Sequence, residues 1–301
     1  MKNLLVLGSS NTDMVVSVDE IPVPGQTVIG KSFEIFAGGK GANQAIAARR
    51  AGANVRFLVS VGDDAYGSAA LEKYRREGID VGNAQILAGM PSGVALIFVA
   101  ANGENCIAVA PGANAKLDPA YVDAQSGSFA SADILLMQLE LPVETIDHAA
   151  ALARDAGVAV ILNPAPAAML PGSMLDGIYC LTPNATEAEQ LSGQRVTDIE
   201  SAERAADALL ARGIRNVIVT LGHLGALLKG EAGLHHEQAP AVAVVDTTGA
   251  GDTFNGILAA LLAEGYALTD AMKFAVRGAA LSVGRRGAAD SIPHRAEYDG
   301  G

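Results

Sequence analysis

Late in the chain, the run Asp246-Thr247-Thr248-Gly249-Ala250-Gly251-Asp252-Thr253-Phe254 sets three small residues directly ahead of a carboxylate. Small residues let the backbone approach a ligand. If they open a helix, the amides of Gly249, Ala250 and Gly251 form a nest that, with the helix dipole, holds the charge of a transferring phosphoryl group. Asp252 then stands where a carboxylate can accept the proton of an attacking hydroxyl, as a general base. A carboxylate at that point can also cap the helix. An ordinary cap does not need three small residues before it, so the catalytic reading is preferred. Asp246, at the end of Val242-Ala-Val-Val245, could ligate a cation or cap a turn, and on residue types alone the turn is the better reading.

A second constellation, Gly38-Gly39-Lys40-Gly41-Ala42-Asn43, precedes a helical run. It is not a P-loop, because Gly41 rather than Ser or Thr follows the lysine, and it lacks the dinucleotide glycine spacing. Its physical content is close backbone approach plus donors for ligand oxygens, from helix N-terminal amides, Lys40 and Asn43. A tight strand-to-helix turn with a solvated lysine accounts for it equally well.

These groups need a scaffold. Short, near-continuous apolar runs at 4–7, 55–59, 134–137, 158–162, 178–181 and 217–219 fit strands of a parallel sheet buried on both faces. Helical periodicity fills 42–51, 65–77, 145–156, 201–212 and 253–263 between and after them. That alternation predicts an α/β fold, doubly wound, with a mostly parallel central sheet flanked by helices. Residues 14–36, broken by Pro22, Pro24 and Gly25, and residues 93–110, split by the turn pair Asn102-Gly103, interrupt the rhythm. They read as a small β lid formed by 13–36 and 93–110, over an α/β kinase domain made of 1–12, 37–92 and 111–301. An extra edge of the main sheet is the competing reading. A lid suits phosphoryl transfer, because shutting out water protects the donor from hydrolysis.

Composition excludes several alternatives. With 301 residues, half of them apolar, the chain can bury a large core. A formal net charge of −12 argues against nucleic acid or an anionic membrane as partner. The apolar run after Met1-Lys2-Asn3 is too short for a signal-peptide core, and no stretch reaches a membrane span, so the cytoplasm is the expected compartment. Cys106 and Cys180 lack metal or disulfide spacing and read as small buried hydrophobes, and the five histidines show no metal spacing.

The two glycine-rich constellations together, with Asn11-Thr12-Asp13, Leu135-Leu-Met-Gln-Leu-Glu140, Asn163-Pro-Ala-Pro166, Thr182-Pro-Asn-Ala-Thr-Glu-Ala-Glu189 and Thr220-Leu-Gly222 in order between them, resemble the ribokinase/PfkB carbohydrate kinase family over nearly the whole chain. The resemblance implies ATP-dependent phosphorylation of D-ribose at the 5-hydroxyl, or of another small sugar such as 2-deoxyribose or fructose. A catalytically silent sugar- or nucleotide-binding relative is the alternative from another class. It implies a sugar site of Asn11, Thr12, Asp13, Gly39, Lys40, Gly41, Ala42, Asn43 and Glu140, facing Asp252. It assigns Asn184 and Glu187 to Mg2+ and phosphate handling, although on residue types alone that pair reads as a helix cap with a capping-box glutamate. Thr220, Leu221, Gly222, His223, Leu224 and Gly225, with Gly251 and Val276, are implied for the nucleotide. Val276 departs from the polar residue of several relatives. A monovalent cation, K+, is implied at Asp246, Thr248, Ser282, Arg285, Gly287 and Ser291, and a homodimer through the lid. Relatives often continue into a final helix, so Glu297-Tyr-Asp-Gly-Gly301 is expected to fray.

Overall fold

The computed structural model describes residues 3–299. The chain runs β1 (Asn3–Leu7), β2 (Asn11–Ser17), β3 (Ser32–Gly38), α1 (Lys40–Arg50), β4 (Asn54–Leu58), β5 (Ser60–Gly62), α2 (Ala65–Arg76), β6 (Gln85–Leu87), β7 (Gly93–Val99) and β8 (Asn105–Ala110). It continues through α3 (Pro119–Ala124), α4 (Ser126–Ala130), β9 (Ile134–Met137), α5 (Val143–Asp155), β10 (Ala159–Leu162), α6 (Gly172–Leu175), β11 (Cys180–Leu181), α7 (Ala185–Ser192) and α8 (Ile199–Leu210). It ends with β12 (Asn216–Thr220), β13 (Ala226–Gly230), β14 (Gly233–Glu237), α9 (Ala250–Glu264) and α10 (Leu268–Ser282).

The main sheet has eight strands in the order β14-β13-β12-β11-β10-β9-β1-β4. From β12 to β4 the pairs are parallel, and the β12-β13-β14 edge is antiparallel. The predicted doubly wound sheet is therefore present, and β13 and β14 are strands the sequence patterning missed. Both faces are covered. In β1, Leu4 and Val6 belong to one core with α1, α9 and α10, while Leu5 and Leu7 belong to the other with α5 and α8. That two-residue period is why the strand reads as an unbroken apolar run. Helix α9 is buried from Asp252 to Ala263 and passes close to α1, whose facing residues Ala45, Ala47 and Ala48 are small. A helix apolar all round is one enclosed by other elements.

A separate four-stranded sheet, in the order β3-β2-β7-β8, is formed by the two interrupting segments. It is not an added edge of the main sheet. β7 and β8 form the expected antiparallel hairpin around Asn102-Gly103, with Gly103 at φ 86°. Its strands reach slightly beyond the expected limits, to Asn11 and Gly38.

Two expectations need correction. Cys106 is exposed on β8, because the outer strand of a four-stranded sheet has no layer above it, whereas Cys180 is buried as expected. Up to Asp299 the carboxyl segment does not fray. Tyr298 is buried in the core, and Arg295 pairs with Glu264 at 2.7 Å. Apolar burial plus that ion pair holds the segment against the core. Gly300 and Gly301 lie outside the described residues. Among the described residues, no helix is long and apolar enough to cross a membrane.

Candidate active site

The polar residues that converge here sit just beyond the carboxyl ends of the parallel strands: Ser9 and Ser10 after β1, Gln138 and Glu140 after β9, Asn163 after β10, Thr182 and Asn184 after β11, and Thr220 ending β12. Strand ends are where an open α/β sheet exposes unpaired backbone and tolerates polar groups, and where its ligands bind. A cavity of about 200 Å³ opens there, lined among others by Lys40, Asn184, Glu187, Thr220, Gly249, Gly251 and Asp252. A larger hollow of about 280 Å³ lies beside the opposite ends of β1 and β4. Its Asn3, Asn54 and Arg56 side chains are already hydrogen-bonded to neighbours.

Asp252 lies in the first turn of α9 and is buried. It does not cap its own helix. Its carboxylate turns across to α1, where Oδ2 accepts from Asn43 Nδ2 and Oδ1 from Gln44 Nε2, both at 3.0 Å. Burial pushes its pKa up, opposed by Lys40 and the two amide donors, while Glu140 adds to the rise. The helix begins at Gly249, in a left-handed conformation (φ 76°) that a side chain would disfavour. Of the three amides, Ala250 N–H is directed at the Thr247 carbonyl at 3.3 Å. Those of Gly249 and Gly251 have no partner among the described residues, and a Cβ on Gly251 would meet open space.

The sugar-side residues of the sequence reading come together from three elements. Glu140 Oε2 accepts from the Ser9 hydroxyl at 2.5 Å and from the Lys40 backbone at 2.9 Å, which ties the start of α1 to the loop after β9. Asp13 on β2 has its pKa raised to about 6, by burial first and then by Glu140 and Asp252, against Lys40. Lys40 is itself held above its usual pKa: burial works to lower it, but Asp252, Glu140, Glu187 and Asp13 together outweigh that. Among the described residues, Asn43 Oδ1 is buried without a partner. Asn11 Oδ1 accepts from Asn114 Nδ2 at 2.8 Å, and Asn114 also brackets the Ser10 peptide through both its N–H and C=O. That bond uses one lone pair of the oxygen and leaves the Asn11 NH2 to donate to a ligand. Thr12 is buried in β2, and Gly39, Gly41 and Ala42 form the turn into α1. A Cβ on Gly41 would stand 2.5 Å from the Gly8 carbonyl carbon and Ser9 N, so the close approach of α1 to β1 requires that glycine.

On the other side of the cavity, Asn184 and Glu187 make a reciprocal capping box at the start of α7. Asn184 Oδ1 accepts from Glu187 N at 2.8 Å, and Glu187 Oε2 from Asn184 N at 2.9 Å. Glu187 still lines the cavity, and its pKa is raised by burial against the Asn184 amide and Lys40. The turn Gly222–Leu224 follows β12, closed by Leu221 N to the Gly225 carbonyl at 2.8 Å, with His223 exposed. Gly225 sits at φ 87° against the Glu237 carbonyl. Val276 on α10 is 5% exposed and packed in the core, so it offers a ligand little surface.

Of the six residues assigned to a monovalent cation, Asp246 and Thr248 lie on the loop before α9, Ser282 ends α10, and Arg285, Gly287 and Ser291 lie on the neighbouring segment after it. Asp246 bridges the two segments, accepting from Thr248 N and Gly287 N, each at 2.9 Å, and Val245 N and Asp246 N donate to the Val283 carbonyl. Burial works to raise the Asp246 pKa, but the Thr248 hydroxyl first, then the Thr248 and Gly287 amides, hold it down. Ser282 and Ser291 turn their hydroxyls onto Ala279 and Ala288 carbonyls, and the Arg285 side chain pairs with Glu297. Among the described residues no group of three His, Cys, Asp or Glu side chains is gathered as a metal cluster.

Sequence reasoning assigned no role to Ser9, Gln44, Asn114, Gln138, Thr182 or Asn255. The available signal was a polar residue inside an otherwise apolar stripe, as with Gln44 between Ala42, Ala45 and Ile46.

With this geometry in view, comparisons identify the chain's relatives. Residues 1–295 match the pfkB family of carbohydrate kinases. The ribokinase of Haemophilus influenzae is 42% identical, over 98% of this chain and 97% of its own. A deoxyribokinase of Salmonella typhimurium is 36% identical, over 99% and 97%. The structure of Arabidopsis thaliana ribokinase complexed with ribose and ATP superposes with a TM-score of 0.92, at 32% identity, over 99% and 98%. The chain therefore belongs to the pfkB family of carbohydrate kinases, phosphotransferases acting on a sugar hydroxyl.

Proposed function

We propose that the chain phosphorylates D-ribose at its 5-hydroxyl with ATP, giving D-ribose 5-phosphate and ADP. The observation that carries this is Asp252: a buried carboxylate fixed between two amides, at the head of a helix whose Gly249 and Gly251 amides are unspent. In this reading the 5-hydroxyl attacks the γ-phosphorus. Its proton passes to Asp252, its lone pair forms the new P–O bond, and the bond to the β,γ-bridging oxygen breaks to release ADP. The amides of Gly249 and Gly251, and Ala250 once its long bond opens, offset charge on the phosphoryl oxygens.

Asn11, Asp13, Lys40, Asn43 and Glu140 hold the sugar, with Thr12, Gly39, Gly41 and Ala42 supplying backbone. Donors and acceptors of both kinds suit a neutral polyol, and an analogue missing one hydroxyl would leave a buried group unpaired. Asn43 Oδ1, buried and unpartnered among the described residues, is such an acceptor. Thr220 and the turn from Leu221 to Gly225 take the nucleotide, with α10 as a further wall.

Family membership implies a divalent metal with ATP, and the residues fit one. Asp13, Glu140, Asp252 and Glu187 surround a single lysine, so a triphosphate needs a cation to offset its charge there. Glu187, with an oxygen not used in the capping box, would hold Mg2+ through water. When bound, the ion neutralises charge on the β- and γ-phosphates. K+ is assigned to Asp246, Thr248, Ser282, Arg285, Gly287 and Ser291, through carbonyls. The small sheet acts as the lid and as the contact between two copies, in the cytoplasm where ATP is available.

The test is ADP release with Mg-ATP and K+ over ribose, 2-deoxyribose, fructose and adenosine, on wild-type protein and Asp252→Asn. Ribose should be preferred, and Asp252→Asn should lose about 10²- to 10⁴-fold in kcat while still binding sugar. Unchanged turnover in that variant sinks the assignment of the base. The deoxyribokinase relative gives one competing reading weight, so a preference for 2-deoxyribose would keep the chemistry and overturn the roles given to Asn11, Asp13 and Glu140. No turnover on any sugar would favour a binding protein without catalysis.

A further inference from the structure

Gln44 is fully buried on α1 and forms no wall of the cavity, yet its amide is engaged in three directions. Nε2 donates to Asp252 Oδ1 and to Asn163 Oδ1, both at 3.0 Å, and Oε1 accepts from Gln138 Nε2 at 2.6 Å. An amide nitrogen carries two hydrogens, and an ionised carboxylate only accepts. Gln44 therefore has one orientation that satisfies all three neighbours. The bonds continue beyond it. Asn163 Nδ2 donates to the Thr182 carbonyl at 3.0 Å, Thr182 Oγ1 to Asn255 Oδ1 at 2.6 Å, and Asn255 Nδ2 to the Gly251 carbonyl at 2.8 Å. The path leaves Asp252 through Gln44, crosses the ends of β10 and β11, and returns to the residue before Asp252.

We infer that Gln44 is the positioning residue of the base: it fixes the rotation of the Asp252 carboxylate and ties it to the strand ends through this closed ring of buried amides and a hydroxyl. With Asn43 on Oδ2 and Gln44 on Oδ1, the carboxylate cannot turn without breaking a bond. The lone pairs left over are those open to the cavity. The inference rests on the reading of Asp252 as base. A merely structural Gln44 would matter for stability alone, whereas a positioning residue must show in kcat and in the pH at which the base works.

The experiment uses the full chain with Gln44→Glu, Gln138→Met and Asp252→Asn, and measures kcat and the sugar KM against pH. Gln44→Glu keeps the shape but sets a second carboxyl against Asp252. Like charges at that range disfavour ionisation, or share one proton, so the acid limb of kcat moves to higher pH. Lys40 on α1, Asp13 on β2, Glu140 after β9 and Glu187 on α7 also act on Asp252 and are the same in every variant. The expected result is a kcat loss of roughly 10-fold or more, a sugar KM within about threefold of wild type, and an acid limb displaced by about one pH unit or more. An unmoved limb overturns the inference, whether kcat is unchanged or falls alongside a matching rise in KM. Should Gln44→Glu fail to fold, Gln138→Met decides. It removes only the donor that holds Gln44 Oε1, so a fall in kcat at constant KM supports the inference and an unchanged kcat overturns it. Asp252→Asn separates the two readings: if it keeps turnover, the base and the inference fall together. If it is inactive while Gln44→Glu behaves as wild type, the inference alone falls.

Discussion

Gly256→Ala sets helix propensity against packing, at a position outside the cavity. Gly256 lies one turn beyond Asp252 on the side of α9 that meets α1. By propensity alone, alanine in a helix interior should stabilise by about 1 kcal/mol. A Cβ there would stand 2.5 Å from the Gln44 carbonyl oxygen and 2.8 Å from Ala48 N, and closer still to Ala47 Cβ. Ordinary contact is about 3.5 Å, and two of the three atoms are backbone that cannot rotate away, so the helices must separate by about 1 Å. That costs roughly 1–3 kcal/mol as overpacking. It also stretches the two 3.0 Å bonds onto Asp252 towards about 4 Å, beyond hydrogen-bond range; each bond to a charged group contributes about 1.5–3 kcal/mol. Packing wins. The expected outcome is a Tm lower by roughly 4 °C or more, at about 2–4 °C per kcal/mol for a domain of this size. Turnover should fall by about 10²-fold, as for a 1 Å misplacement of a reacting group. Calorimetry and the ADP-release assay report these separately. A variant that melts at or above wild type with full kcat would show that the α1–α9 approach does not hold the base.

Two further outcomes follow from the same structure. Asp13 has a folded pKa of about 6 against 3.8 unfolded, so the folded state binds the extra proton between those values and stability is lost as pH rises through the window. Asp13→Asn should therefore be more stable than wild type at pH 7.5, by on the order of 2 kcal/mol, with the gain gone near pH 4 and sugar affinity weakened; urea unfolding at both pH values checks it, and a gain that does not change with pH refutes it. On the small sheet, Phe33, Ile35 and Leu96 are more than half or half exposed, and strand register brings them to one face with Met14 and Val16. Ile35→Asp removes an apolar group worth about 1.5–3 kcal/mol from each copy of a twofold contact. It should turn a dimer into monomers at micromolar concentration by sedimentation, and wild-type protein that sediments as a monomer at tens of micromolar refutes the dimer.

What could be read from the sequence follows from the range over which each signal acts. The strand runs were visible because both sheet faces are buried, so Leu4 to Leu7 carry no polar interruption. The two β segments were visible because proline and Asn-Gly break that pattern locally. β14 was not, since the edge strand Gly233–Glu237 is mostly exposed and carries two histidines, giving neither alternation nor an apolar run, and in β13 the apolar run Ala226 to Leu228 is only three residues long before Lys229. For the site, the Gly249 to Asp252 run gave the local half of the argument, small residues before a carboxylate at a helix start. It could not tell whether Asp252 turns back on its own helix or across to another, because the deciding donors, Asn43 and Gln44, are more than 200 residues away in the chain. Asn184 and Glu187 show the opposite limit. A three-residue spacing gave the capping box correctly, but whether Glu187 also faces the cavity depends on β12 and α9 closing the other walls. A buried polar residue on an apolar helix face is the sign common to Gln44 and Asn255. Such a residue is tolerated only if its hydrogen bonds are met elsewhere in the fold, so each marks a long-range contact that the sequence records without naming its partner.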